Sequence, residues 1–471
     1  MSDEPVPAPT PFAPAPAGAV VLYRGATVID GTGAPGRPGT TVVVDGERIV
    51  EVAADAEVDP ADYAGAELVD LAGAFLIPGL IDSHQHLATP PNRPVAEAVL
   101  RRDLFGGVTT ARDMADDLRQ VGDLARAARV GEIAAPDLYY AALMAGPTFF
   151  DDPRTWQVSQ GAVPGRNPWM QAVDEGTDLP LAVAMARGTS ATAVKIYADL
   201  PADRVAAIAA EAHRQGLLVW AHATVFPARP GEVVAAGADS VSHVTLLVHE
   251  ATEGPLVRYR TKPPLDEARF AGGDDPAIEA LFGAMRERGT ILDATASMWG
   301  RIAAAGGDAE DARQRALAQD TVSAALTAQA HRAGVEISTG TDSDPDLTLD
   351  WPPLHDELVY LHERCGMTPL QVLRSATLIG ARSLGGADER GTVEEGKLAD
   401  LVVLDADPAA DLAAALRSVR TVVKRGCRHN RSDFERSGAT SGRAGTADTA
   451  TAIAGTVEAP KTEDPKTEDP K

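Results

Sequence analysis

Two histidines one residue apart raise the first question of chemistry. In "LIPGLIDSHQHLATPP", His84 and His86 follow a short apolar run entered through Pro78 and Gly79. Side chains alternate faces along a strand, so both imidazoles point one way and Gln85 the other. Two neutral imidazoles on one face can ligate one metal ion, or can simply be polar residues where a strand runs out into a loop. Groups able to join such a site recur at later apolar runs. "TAVKIY" carries Lys195 inside a strand, "VWAHA" ends in His222, "DSVSH" in His243 and "ISTGTD" in Asp342. A lysine inside an apolar strand is costly to bury unless it is paired, snorkels out or loses its charge.

The elements that must position these groups repeat one plan. In "PADRVAAIAAEAHRQGLLVWAH", Val205, Ile208 and Ala212 fall at helical spacing, Gly216 suits a helix C-terminus, and residues 217–220 form an apolar strand. "GEVVAAGADSVSH", "FGAMRERGTILDATAS" and "AQAHRAGVEISTGTDS" repeat it. Helices alternating with continuous apolar strands predict an α/β fold, a (β/α)8 TIM barrel over residues 76–385. A doubly wound sheet is the alternative, but no GxGxxG turn follows an early strand. Barrel sites sit at the C-terminal ends of strands, and the spacing puts the candidates on strands 1, 4, 5, 6 and 8. "GPTFFDDPRTWQVSQGAVPGRNPW" and "HEATEGPLVRYRTKPPLDEARFAGGDD" supply the insertions that the longer intervals need.

Residues 19–75 and 386–430 read instead as short strands with Gly, Pro and Asp-Gly turns, and predict one small β-sandwich built from both flanks. Residues 1–18, rich in Pro and Ala, and residues 431–471, closing on "KTEDPKTEDPK", predict a disordered arm and tail.

Composition narrows the partners. A formal net charge of -25 over 471 residues repels phosphate backbones and anionic membrane surfaces, so no nucleic acid is expected. No apolar run approaches a membrane span, and the N-terminus lacks the regions of a secretory signal. The 2 cysteines, Cys365 and Cys427, suit a reducing cytoplasm better than a disulfide framework. A small-molecule substrate is the expected partner.

Taken together, "IPGLIDSHQH", "GGVTTARD", "VKIY", "WAHA", "VSH", "STGTD" and the closing "LRSATLIGARSLGGADERGTVEEGKLADLVVLD" resemble the amidohydrolase superfamily, close to its prolidase-like and imidazolonepropionase-like branch. The resemblance runs over roughly residues 20–426. It implies a barrel holding one or two divalent metals, with zinc the expected ion, beside a β-sandwich. His84 and His86 would bind the more buried metal with Asp342, and His222 and His243 the more exposed one. Lys195 would bridge the two as a carbamate formed with CO2, because an ammonium cannot ligate a cation and a carbamate can. A hydroxide generated between the metals would attack the carbonyl, with Asp342 as proton shuttle. Barrels of this kind often pair through their helices, so a homo-oligomer stays open.

The expected reaction is hydrolysis of an amide or peptide C–N bond in a dipeptide or N-acyl amino acid. Tyr197 shares a strand face with Lys195 and can reach the pocket; Arg258 and Arg260, after strand 6, can bind a substrate carboxylate or be ordinary loop residues. The acidic loop after Asp342 could instead favour a basic side chain. His213, His331 and His362 read as helix residues, His429 as part of the tail boundary, and His249 and His355 as loop residues near the rim. Three other readings stay open. A mononuclear deaminase or cyclic-amide hydrolase would not need Lys195, and "ATVFPARPGE" after His222 lacks the acid that the deaminase pattern places there. Esters, lactones and organophosphates yield to the same hydroxide. A non-catalytic scaffold should have lost ligands.

Overall fold

The computed structural model of the protein describes residues 10–305 and 310–438, which leaves the "KTEDPKTEDPK" repeat and most of the expected tail outside the described residues. Eight parallel strands form the barrel: β1 (Leu80–Gln85), β2 (Val108–Asp113), β3 (Asp137–Ala145), β4 (Ala193–Ile196), β5 (Leu218–His222), β6 (Ser240–Ser242), β7 (Ile291–Asp293) and β8 (Ile337–Ser338). Across the seam between β8 and β1, Ser83 donates its N–H to Thr339 at 2.7 Å and Asp342 donates to His84 at 2.9 Å, giving a nearly closed cylinder. Every residue of β4 is buried, as expected of a parallel strand covered by helices and filled inside by its neighbours. The helix Ala202–Arg214 shows the cause: Val205, Ile208, Ala209 and Ala212 turn inward, and Gly216, at φ 79°, takes the left-handed turn that ends it.

The β-segments of the two flanks form one continuous eight-stranded mixed sheet. Its central strands, Phe75–Pro78 and Leu401–Leu404, pair antiparallel and carry the alternation that docks the sheet on the barrel. Ile77, Val402 and Leu404 join the barrel core, while Leu76, Leu401 and Val403 pack with Tyr23, Val28 and Val42. The chain crosses from sheet to barrel at Gly79, where a Cβ would lie 2.0 Å from the Thr109 hydroxyl. No helix among the described residues is long and apolar enough to cross a membrane.

The N-terminal arm differs from expectation over its described part. Phe12 donates its N–H to Gly131 at 3.1 Å, Ala15 donates to Arg425 at 3.0 Å, and the Phe12 ring stacks 5.9 Å from His429. A proline-rich composition conceals one aromatic side chain with a place to be buried. His429 belongs to the strand Cys427–Asn430 and is buried there, and residues 431–438 continue as a helix where a disordered tail was expected to begin.

At the base of the barrel, Asp137 opens β3 among three cations. Lys424 lies 2.9 Å from its carboxylate, Arg425 2.6 Å and Arg390 3.0 Å. Burial opposes its charge, but Lys424, Arg390 and Arg425 together hold its carboxyl well below the usual carboxylate range. A depressed folded-state pKa stabilises above the unfolded value, about 3.9, and that stability is lost as pH falls through it. Asp137→Asn removes the anion and leaves buried Lys424 without a carboxylate, while Arg425 keeps Glu47 at 2.9 Å and Arg390 keeps Asp400 at 3.7 Å. Urea unfolding at neutral pH should show a loss of about 3–5 kcal/mol, and a shallower fall in stability below about pH 4 than in the parent.

Candidate active site and metal centre

The C-terminal ends of the strands converge on Asp342. Its backbone, at φ 49°, and those of His243 (71°) and Thr295 (45°) all occupy the left-handed region that non-glycine residues avoid. Three such residues, following β8, β6 and β7, mark a rim held in a strained shape that the surrounding packing must enforce.

His84, near the end of β1, and His86, just beyond it, face the same Asp342. Each donates from Nδ1 to a carboxylate behind it, His84 to Asp293 at 2.6 Å and His86 to Asp116 at 2.8 Å. Each turns Nε2 to the same Asp342 oxygen, at 3.4 and 3.2 Å. Gln85 points away and donates to Asp82 at 3.0 Å and Asp103 at 2.9 Å. His243 lies 3.6 Å from the other Asp342 oxygen and 3.1 Å from the Thr295 hydroxyl. The His222 ring stands 4.9 Å from that of His243, and its Nδ1 is buried without a hydrogen-bond partner. Lys195 is 1% exposed, which excludes snorkelling, and its Nζ donates to Ser242 at 2.9 Å. Ser242 in turn donates to Asp293 at 2.9 Å.

Burial governs the charges here. It lowers His84, His222 and His243, the last to about 3, which keeps these imidazoles in the neutral form that ligates a metal. It also lowers the Lys195 ammonium to about 7. Burial would lower His86 too, but Asp116 and Asp342 raise it well above the ordinary imidazole value. At Asp342 burial is outweighed by His84 and His243 and by the hydrogen bond from His86, so its carboxyl is held well below the usual range.

The donor set fits a divalent metal. His84, His86 and Asp342 offer three donor atoms within 4.8 Å of one another. A carboxylate behind each imidazole holds its Nδ1 and turns Nε2 toward Asp342, the outer arrangement that metal-binding histidines use. His222 and His243 flank this group; Lys195, tied to Ser242, does not enter it.

Of the expected substrate residues, Tyr197 lines the site, its ring 3.9 Å from that of His222. Arg258 and Arg260 are exposed, and Tyr259 between them is the residue that turns inward, 5.6 Å from the His222 ring. The two histidines read as loop residues lie on helices. His249 is buried in the turn Val244–Glu250 against Phe226, at 5.0 Å. His355, on the helix Pro353–Cys365, donates to Gly106 at 2.8 Å, just before β2 begins and so at the far end of the barrel from the site.

Sequence reasoning missed Asp293, although it ends "GTILD" as surely as His243 ends "DSVSH"; the same strand-end rule applied to β7 finds it. It also missed Asp116 and Arg112, which has no counterpart in periodicity. Arg112 is fully buried, donates to Ser83 at 2.7 Å and Ser240 at 3.1 Å, and stacks 4.5 Å over Trp220. The glycine of "STGTD" has a use that only packing reveals: a Cβ on Gly340 would lie 2.1 Å from Asp293 Oδ1 and 2.7 Å from the His84 Cβ. Gly340→Ala must push His84 and Asp293 apart. It should cost about 1–3 kcal/mol in urea unfolding and lower the metal bound per chain in elemental analysis; parental values in both would contradict the packing described.

Comparison with known proteins now bears on the site. The family model described as amidohydrolase family matches residues 75–428. Ochratoxinase of Aspergillus niger is 26% identical over 438 residues, covering 83% of this chain and 82% of that protein. Imidazolonepropionase of Micrococcus luteus is 27% identical over 406 residues, 79% of this chain and 89% of that protein. A solved Xaa-Pro dipeptidase with methionine bound in its active site superposes with a TM-score of 0.69 at 22% identity, covering 87% of this chain and 100% of that one, and carries the likeness of fold. The chain belongs to the amidohydrolase family as a metal-dependent hydrolase of C–N bonds.

Proposed function

We propose that the enzyme cleaves the amide bond of a dipeptide or an N-acyl amino acid, with His84, His86, His222, His243 and Asp342 as ligands of zinc. The observation that carries this reading is the Asp342 carboxylate facing three imidazoles across 3.2, 3.4 and 3.6 Å. A divalent metal held there supplies Lewis acidity toward a carbonyl and lowers the pKa of water. Asp342, kept ionised by its neighbours, accepts the proton given up by the attacking water and returns it to the leaving nitrogen, the atom that must be protonated before the C–N bond breaks. Tyr197 walls the pocket beside His222, and Phe149, 4.6 Å from the Tyr197 ring, extends that wall for an apolar substrate group. Two cysteines without a disulfide suit the cytoplasm.

Lys195 separates a two-metal from a one-metal site. Its burial favours the neutral amine, the form that joins CO2 and releases a proton to become an anionic carbamate. Its hydrogen bond to Ser242, and a tight donor group limited to His84, His86 and Asp342 among the described residues, favour the second reading, a mononuclear cyclic-amide hydrolase or deaminase.

Elemental analysis of protein prepared without chelator and supplied with zinc and bicarbonate divides them. About two metals per chain supports the carbamate and the amide substrate; about one makes the mononuclear reading the leading one. Asp342→Asn should lower kcat by about 10²–10⁴-fold while metal stays bound, and wild-type turnover in that variant would sink the shuttle assignment.

A further inference from the structure

The connection between β6 and β7 contains "PLVRYRTKPPL", residues 255–265, with three cations and no acid in a chain of formal charge -25. Tyr259 brings this strap to the site. Its ring lies 5.6 Å from that of His222, 5.8 Å from Tyr197 and 6.1 Å from Phe226. Asp199, after β4, fixes the approach: one carboxylate oxygen accepts the Tyr259 N–H at 2.8 Å and the other accepts the Thr148 hydroxyl at 2.7 Å. A single side chain therefore pins both the strap and the insertion that follows β3. Lys262 folds back so that its ammonium stands 4.4 Å from the centre of the Tyr259 ring.

Among the described residues no carboxylate lies within ion-pair distance of Arg258, Arg260 or Lys262. Arg154, in that insertion, differs: its guanidinium closes on Asp152 at 2.7 Å. An anion approaching this acidic protein meets net repulsion, which salt screens beyond about 8–10 Å. What it then feels is local. The ring face holds the Lys262 ammonium in place, and the exposed side chain keeps N–H donors for a ligand beside Tyr259.

We infer that Lys262, seated on Tyr259, receives a carboxylate of the substrate and so selects N-acyl amino acids and dipeptides with a free carboxylate over their neutral carboxamides. This rests on the amide-hydrolase reading above. Arg258 and Arg260 add to the local positive field without entering the pocket; Arg260 is engaged with the Asp151 carbonyl at 3.4 Å.

The test uses the full chain loaded with zinc and bicarbonate. Substrates are N-acetyl amino acids paired with their carboxamides, read by acetate release. The wild type should favour the acid in each productive pair. Lys262→Gln should reduce the acid-to-carboxamide ratio of kcat/KM by about tenfold, mainly through KM for the acid, Lys262→Glu further, and Lys262→Arg should restore part of it. Turnover of both members with the same ratio in Lys262→Gln as in the parent overturns the inference alone. Failure of the wild type to release acetate from any member overturns the N-acyl amino acid reading, and the inference with it.

Discussion

The contact between Asp293 and His84 is the one on which the site depends. At 2.6 Å, with both side chains buried, it sets the imidazole that faces Asp342. The same Asp293 oxygen takes the Ser242 hydroxyl, through which Lys195 is held, and stands 3.5 Å from the Arg112 guanidinium. One carboxylate on β7 thereby ties together groups on β1, β2, β4 and β6. Burial would neutralise such a carboxyl; His84, Arg112 and Lys195 keep it ionised. The barrel can gather titratable groups at its mouth because one anion beneath them organises the donors.

Everything above that anion is a matter of aim. His243, Thr295 and Asp342 leave their strands through backbone conformations that non-glycine residues resist, and Thr295 holds the His243 ring by its hydroxyl. Fixing these angles falls to buried supports farther out. Glu357, on a helix from another part of the chain, accepts the N–H groups of Ala296 at 2.9 Å and Ser297 at 2.7 Å, immediately after Thr295. Such support makes the site rigid at the expense of conformational strain, a common arrangement where ligands must be ready before the metal arrives.

The sequence made the barrel legible because its signals are local. Helix periodicity, a closing glycine and an apolar strand recur often enough to fix the fold, and strand alternation placed His84 and His86 together. Asp342, His222 and His243 followed from where strands end. What could not be read depends on contacts between distant segments. Asp116 and Arg112 act through partners on other strands, and nothing in their neighbourhood announces those partners. Tyr259 lies between two arginines that drew attention by charge, while the turn of the backbone gave the inward position to the tyrosine. The arm was misjudged for a similar reason: Phe12 is one residue in a proline-rich stretch, and its value lies in His429, at the other end of the chain.

The pairing of Phe75–Pro78 with Leu401–Leu404 has a consequence for how the chain is made. The whole barrel is inserted between two neighbouring strands of one sheet. During synthesis Phe75–Pro78 can pair with Val20–Val28, but its other edge has no partner until the chain past Leu404 has left the ribosome. Contacts this remote in sequence form slowly, and an apolar strand edge left open in the meantime is a point where nascent chains associate wrongly. A strand on the far side of the barrel thus closes the sheet that the strands before the barrel open.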